Sequence, residues 1–125
     1  MEKWEVGKAR EVIHDPRGDI TSVADGVFRS VMLIESKKGT VRANHWHKTD
    51  THVMYIISGR ARYYEETQSG GLVVKHMGPG DSVFTPSIVP HAMEFIEDTL
   101  MVVCATNARD YDAYMADTVK FTLVL

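Results

Sequence analysis

An all-β fold, built as a closed barrel or a two-sheet jelly roll, is what this sequence predicts, on three observations. Turn-forming residues recur at short intervals, at Asp15-Pro16-Arg17-Gly18, Lys37-Lys38-Gly39, Ser58-Gly59, Ser69-Gly70-Gly71, Gly78-Pro79-Gly80-Asp81, Pro86 and Pro90. The segments between them have strand length and are rich in Val, Ile, Tyr, Phe and Thr, which suit a pleated, half-buried surface. Hairpins in series, without a long polar gap, an internal repeat or a low-complexity tract, protect their edges by closing on themselves or by facing a second sheet.

In chain order, Trp4 to Val12 carries alternating apolar residues with no evident hairpin partner, and we expect it to add to the sheet of a second copy, giving a homodimer. Strands are expected over Val27 to Glu35, Val53 to Ile57, Arg60 to Glu65, Leu72 to Lys75, Ala92 to Ile96 and Leu100 to Ala105. A final strand from Thr118 to Leu125 places Val119, Phe121, Leu123 and Leu125 on one face. The one helix expected is Ala108 to Ala116, where Tyr111, Tyr114 and Met115 fall at helical spacing. Met32, Met54, Met77, Met93 and Met101 are assigned to the core or to a pocket lining.

Composition removes several classes of function. The chain has 125 residues, enough for one domain, 1–125, that buries roughly two thirds of its unfolded surface without disulfide or metal staples. Fourteen Lys and Arg against seventeen Asp and Glu give a net charge of −3, with no block longer than Lys37-Lys38 or Glu65-Glu66, so binding of nucleic acid through a basic face is not expected. Cys104 is the only cysteine and sits in an apolar run, which excludes a disulfide within the chain. There is no signal-peptide pattern and no apolar run long enough for a membrane helix, so a soluble, cytoplasmic protein is expected.

The most informative feature is the histidine cluster Asn44-His45-Trp46-His47-Lys48-Thr49-Asp50-Thr51-His52. On a strand, His45 and His47 point to the same face and Trp46 to the other, into the core or a subunit interface. If Lys48 to Thr51 form a tight connection, His52 returns beside them on an antiparallel neighbour, ~5 Å away. Converging neutral imidazoles ligate first-row divalent metals. An inward-facing imidazole is equally a base for taking a proton beside a carbonyl. Asp50 is a candidate to orient one imidazole, while His14 and His76 read as surface residues.

Gly39, His45, His47, His52 and Gly59, separated by five, one, four and six residues, resemble the first motif of the cupin superfamily, with His52 where that motif has Glu. Gly80, Pro86 and His91 resemble the second, with Ile88 at a position usually Gly and Phe95 at one usually Asn. The resemblance implies a double-stranded β-helix barrel holding His45, His47, His52 and His91 in its mouth, as ligands for one divalent ion such as Zn, Mn, Fe or Ni. A metal-dependent cupin with oxygenase or hydrolytic chemistry, and a sugar- or metal-binding module without turnover, both follow from that site.

A narrower resemblance points to sugar chemistry. Asp15-Pro16-Arg17-Gly18, Phe28 to Ile34 and Arg42-Ala43-Asn44-His45-Trp46-His47-Lys48 are similar to cupin-fold 3,5-epimerases and 3,4-ketoisomerases of nucleotide-linked deoxysugars, with Ala43-Asn44 where a Gly and one residue would stand. Such enzymes generally work without metal. The resemblance implies a sugar-nucleotide substrate, with His47 as the catalytic base and His45 or His91 as the donor to the enolate oxygen. Tyr63 or Tyr64 would return the proton, and Arg17, Arg42, Arg60 or Arg62 would grip the diphosphate.

Overall fold

The computed structural model describes residues 7–8 and 11–125. Two five-stranded antiparallel sheets face one another. The first runs β1 (Gly7–Lys8), β9 (Asp81–Thr85), β6 (His52–Ser58), β11 (Thr99–Ala105), β4 (Ser30–Ser36) from edge to edge. The second runs β12 (Thr118–Lys120), β5 (Val41–His47), β10 (His91–Phe95), β7 (Ala61–Glu66), β8 (Leu72–Met77). From β4 to β12 the chain crosses between sheets at nearly every connection, which makes the expected jelly roll. One helix, α1 (Tyr111–Asp117), precedes β12, and β2 (Glu11–Asp15) pairs with β3 (Gly18–Ser22) as a separate hairpin.

Alternation along the strands builds the core. Met54 and Ile56 of β6, Ala61 and Tyr63 of β7, Val83 of β9, Met93 and Phe95 of β10, and Met101 and Val103 of β11 all point inward. Met77 joins this cluster, and Met32 packs against it, so the methionines lie where the sequence places them. Gly59 turns the chain between β6 and β7 at φ +97°, and a Cβ there would overlap the Asp98 carbonyl and the Thr99 hydroxyl. Cys104 is buried.

Four expectations change. Most of Trp4 to Val12 lies outside the described residues, but Val12 does have a hairpin partner: Glu11–Asp15 pairs with Gly18–Ser22 across the turn that Asp15 stabilises by accepting from the Arg17 amide at 2.8 Å. Strand β9, too short between Gly80 and Pro86 to stand out, lies between β1 and β6. The helix starts at Tyr111 rather than Ala108, because the Asp110 side chain caps it by accepting from the Ala113 amide. The last strand stops at Lys120 instead of Leu125. Beyond it the Asn44 side chain replaces the ladder, accepting from the Leu123 and Val124 amides at 2.9 and 3.0 Å. Among the described residues no helix is long and apolar enough to cross a membrane.

Candidate active site

The site begins with a distortion in β5. Ala43 and Asn44 adopt φ +68° and +53°, and pairing with β10 slips there, so that Ala43 faces Ala92 and His45 faces His91. The extra residue is a β-bulge, which re-aims the side chains that follow it. His45 and His47 then share the inner face with ring centroids 4.6 Å apart, and His91 meets His45 at 4.8 Å from the adjacent strand. Across β5 the loop 86–90 is tied down by the Ile88 amide donating to the His47 carbonyl at 2.7 Å, with Ile88 at φ +71°.

His52 joins them, but not along the expected route. Strand β6 belongs to the opposite sheet and does not pair with β5. Lys48 to Thr51 therefore carry the chain across the barrel rather than around a hairpin, and His52 faces the other imidazoles across the cavity, 5.2 Å from His91 and 5.7 Å from His47 between centroids. All four predicted histidines meet in one mouth.

Hydrogen-bond partners set the protonated nitrogen of three of these rings. The Thr118 hydroxyl donates to the Tyr114 carbonyl at 2.6 Å, so it accepts from His47 Nδ1 at 3.2 Å, with the Asp117 carboxylate 3.6 Å away. His47 Nε2 thus carries a lone pair, and it is buried without a hydrogen-bond partner. His91 Nδ1 donates to the Val89 carbonyl at 3.0 Å, which likewise leaves its Nε2 lone pair free of a proton. His52 is the reverse case. The Arg109 guanidinium can only donate, and it donates to His52 Nδ1 at 3.2 Å, so the His52 proton resides on Nε2.

Behind Arg109 stands Asp50, only 2% exposed, which accepts from Arg109 Nε and Nη2 at 3.0 and 2.8 Å and from the Asn107 amide at 3.0 Å. Asp50 does orient an imidazole, though through the arginine. The Arg109 guanidinium also lies 5.3 Å above the Tyr114 ring, a cation–π contact.

Burial, more than any neighbour, keeps the imidazoles neutral. His45 is pushed down to about 3 by desolvation and by His91, His47 and Arg109. His91 falls to about 4, mainly from desolvation, against the opposing pull of its bond to Val89. His52 and His47 shift the same way for the same first cause, and Asp50 and Asp117 partly offset the shift at His47. Burial would raise the Asp117 carboxyl, but the Thr49 hydroxyl, the Asp50 and Thr49 amides and His47 hold it below the usual range.

The mouth opens into two lobes. The inner one, about 370 Å³, has His45, His52 and His91 on its walls and Met54, Met93 and Met101 on its floor. The outer one, about 350 Å³, is lined by Arg29, His47, Asp50 and Asp117. Arg109 and Tyr114 line both. Each lobe is at the small end of the range for ligand sites.

Other expected residues are distributed unevenly. Tyr63 is fully buried, its hydroxyl bonded to Thr85 and Glu65, and its ring stacks beside His91 at 6.4 Å. Tyr64 is bonded to Glu94, as is Arg62. Arg17 pairs with Asp15 in the exposed hairpin turn, and Arg60 lies toward Glu97 on the surface, so neither approaches the site. Arg42 alone of the four lines the inner lobe. Arg29, Arg109, Tyr114 and Asp117 complete the site unforeseen. Nothing in their spacing marks them, since they reach it from the segment before β4 and from the connection and helix that follow β11.

As a metal centre the cluster fits in part. The ligand atoms of His45, His47 and His91 lie within 4.8 Å of one another, and the orphaned His47 Nε2 suits a ligand. His52 does not fit as the fourth, because its Nδ1 is taken and its Nε2 carries a proton.

The chain belongs to the cupin superfamily: the cupin domain model matches residues 32–106. It is 29% identical over 75 residues to an oxalate decarboxylase of Arthroderma benhamiae, covering 60% of this chain and 17% of that protein. It is 34% identical over 62 residues to the oxalate decarboxylase OxdC of Bacillus subtilis, covering 50% of this chain and 16% of that one. The match thus spans about a sixth of the length of these curated relatives. In fold the chain resembles a sugar 3,4-ketoisomerase of Thermoanaerobacterium thermosaccharolyticum, with TM-score 0.74, 17% identity and coverage of 94% and 88% of the two chains. A 3,4-ketoisomerase of Helicobacter canadensis gives 0.75 at 14% identity, covering 93% and 89%. The dTDP-4-dehydrorhamnose 3,5-epimerase of Sulfolobus tokodaii gives 0.70 at 17%, covering 86% and 72%.

Proposed function

We propose that this cupin is an isomerase or epimerase that moves a proton beside the carbonyl of a nucleotide-linked keto sugar. The observation that carries the reading is His47, whose Nε2 is a buried lone pair while Thr118 and Asp117 face its Nδ1. That arrangement stabilises the imidazolium that forms when Nε2 takes a proton. The negative charge left on the carbonyl oxygen is met by the Arg109 guanidinium and the His52 Nε2 proton. In this reading Tyr114, whose ring lies 5.7 Å from that of His47, returns a proton to the neighbouring carbon, a role the sequence assigns to Tyr63 or Tyr64. Tyr63 is unsuited to it, because burial and Glu65 hold its phenol well above its ordinary value.

His47 Nε2 is buried, so substrate that reaches it meets an atom shielded from water. Fold likeness to sugar ketoisomerases and an epimerase supports the substrate class. A second reading, small-carboxylate chemistry with His45, His47 and His91 around a divalent ion acting as a Lewis acid, is favoured by the oxalate decarboxylase matches.

The test is proton exchange in D2O with TDP-4-keto-6-deoxyglucose, a ligand of the Thermoanaerobacterium enzyme. Deuterium entering carbon 3, and not doing so with His47→Gln, supports the first reading, and turnover of oxalate without sugar exchange supports the second. We further propose a homodimer: Val31 and Leu33, 67% and 69% exposed on the edge strand β4, offer an apolar strip for a second copy. Light scattering that returns twice the chain mass supports it, and a monomer mass removes it.

A further inference from the structure

Arg109 lies outside both cupin motifs, and its position has a consequence beyond the charge it offers a substrate oxygen. It is a fixed cation in a nest of imidazoles. Its side chain is 12% exposed, both its Nε and its Nη2 donate to the buried Asp50 carboxylate, and the same Nη2 reaches His52 Nδ1. Asp50 is itself held by the Asn107 amide at 3.0 Å and the Thr106 hydroxyl at 3.2 Å, so the guanidinium rests on a carboxylate that cannot swing away.

Two consequences follow for any cation that enters. The lone pair His52 would need is occupied, and its other nitrogen bears a proton, so the ring ligates only if Arg109 lets go. The charge of the guanidinium also lies beside His52 in a cavity where water screens it weakly, and it repels a second positive charge. Yet the remaining donors are in place: the ligand atoms of His45, His47 and His91 lie within 4.8 Å of one another, and so do those of His47, Asp50 and His52. The second group is the one that Arg109 ties up at two of its three members.

We propose that Arg109 is the resident cation of this barrel, holding Asp50 and His52 out of reach of divalent metal, so that the chain carries a latent metal site which opens when the guanidinium is removed. The inference is independent of the sugar reading, because it concerns binding of an ion in the absence of substrate. In this protein the positive charge that a cupin mouth can obtain from a metal is supplied by a side chain.

Cobalt(II) titration of the untagged protein, followed by visible absorption, tests this. The parent chain is expected to bind weakly. Arg109→Leu is expected to bind about 10–100-fold more tightly, the scale of effect that groups surrounding a metal site exert, and to show the intense bands of four-coordinate cobalt. Adding His52→Ala to Arg109→Leu removes most of that gain. Arg109→Gln, which keeps a donor toward Asp50, serves as the folded variant if the leucine protein aggregates, and is expected to show the same gain at reduced size. A parent chain that binds cobalt as tightly as Arg109→Leu overturns the proposal. So does an Arg109 variant, folded by circular dichroism, with no tighter binding, or a gain that survives loss of His52.

Discussion

At one end of the barrel Ile56, Val83 and Phe95 fill the inward positions of β6, β9 and β10, while two or four residues along the same strands those positions hold His52, Thr85 and His91. Both ends are equally buried. Alternation decides which side chains turn inward, and it does so without regard to polarity. The dry end rests on packing alone. The polar end needs a partner for each buried group: Arg109 and Val89, from connections outside the ladder, serve His52 and His91, while Thr118 of β12 and Tyr63 of β7 serve His47 and Thr85. Stability therefore resides at one end and chemistry at the other, which variants at each end should separate.

The largest effect on stability is expected from Phe95→Ala, which empties a fully buried ring site and should cost about 3–5 kcal/mol in chemical denaturation. At the other end, His47→Gln keeps a polar side chain in place and should cost less, about 1–3 kcal/mol, the range for disturbing a buried hydrogen bond. It should nevertheless slow sugar proton exchange by about 10²–10⁴-fold, the usual contribution of a positioned base. Equal stability losses for the two variants would dissolve the contrast.

Acid should undo the polar end first. His91 sits at about 4 against an ordinary 6.5, and buried His52 shifts in the same direction. Between those values the unfolded chain binds protons that the folded chain refuses. The stability is whole above 6.5 and falls as pH drops toward 4, by up to about 1.4 kcal/mol per pH unit for each such imidazole. Denaturation midpoints measured across that window check it, and a flat profile would mean the rings are charged or solvated in the folded state.

The smallest effect concerns the backbone. Ala43 stands at φ +68° where related motifs carry Gly, so Ala43→Gly should stabilise the chain by about 1 kcal/mol, offset in part by the extra freedom of the unfolded chain. Loss of stability on that change would show that the bulge is set by side-chain packing instead.

Much of this was legible in the sequence, for reasons the two ends make clear. Strand faces and the inward aim of His45 and His47 follow from a period of two, and the motif spacing brought His52 and His91 to the same mouth. The two departures from the motif glycines, Ala43 and Ile88, are now intelligible, because both residues keep left-handed backbone despite their side chains. What was not legible depends on long-range closure. Which sheet receives β6 is a matter of topology, so His52 arrives across the cavity rather than beside its neighbours. The helical spacing of Tyr111, Tyr114 and Met115 marks α1 but not the face that meets the cavity, and only the pairing of β12 with β5 brings Tyr114, Asp117 and Thr118 to the mouth beside Arg109.

The most direct test is the protonation pattern of the four rings, read by long-range nitrogen–proton NMR correlation on histidine-labelled protein at neutral pH. Neutral rings, with the proton on Nδ1 at His47 and His91 and on Nε2 at His52, are the predicted result. A charged ring at His47, or a His52 protonated on Nδ1, would contradict the assignment of base and donor on which the account rests.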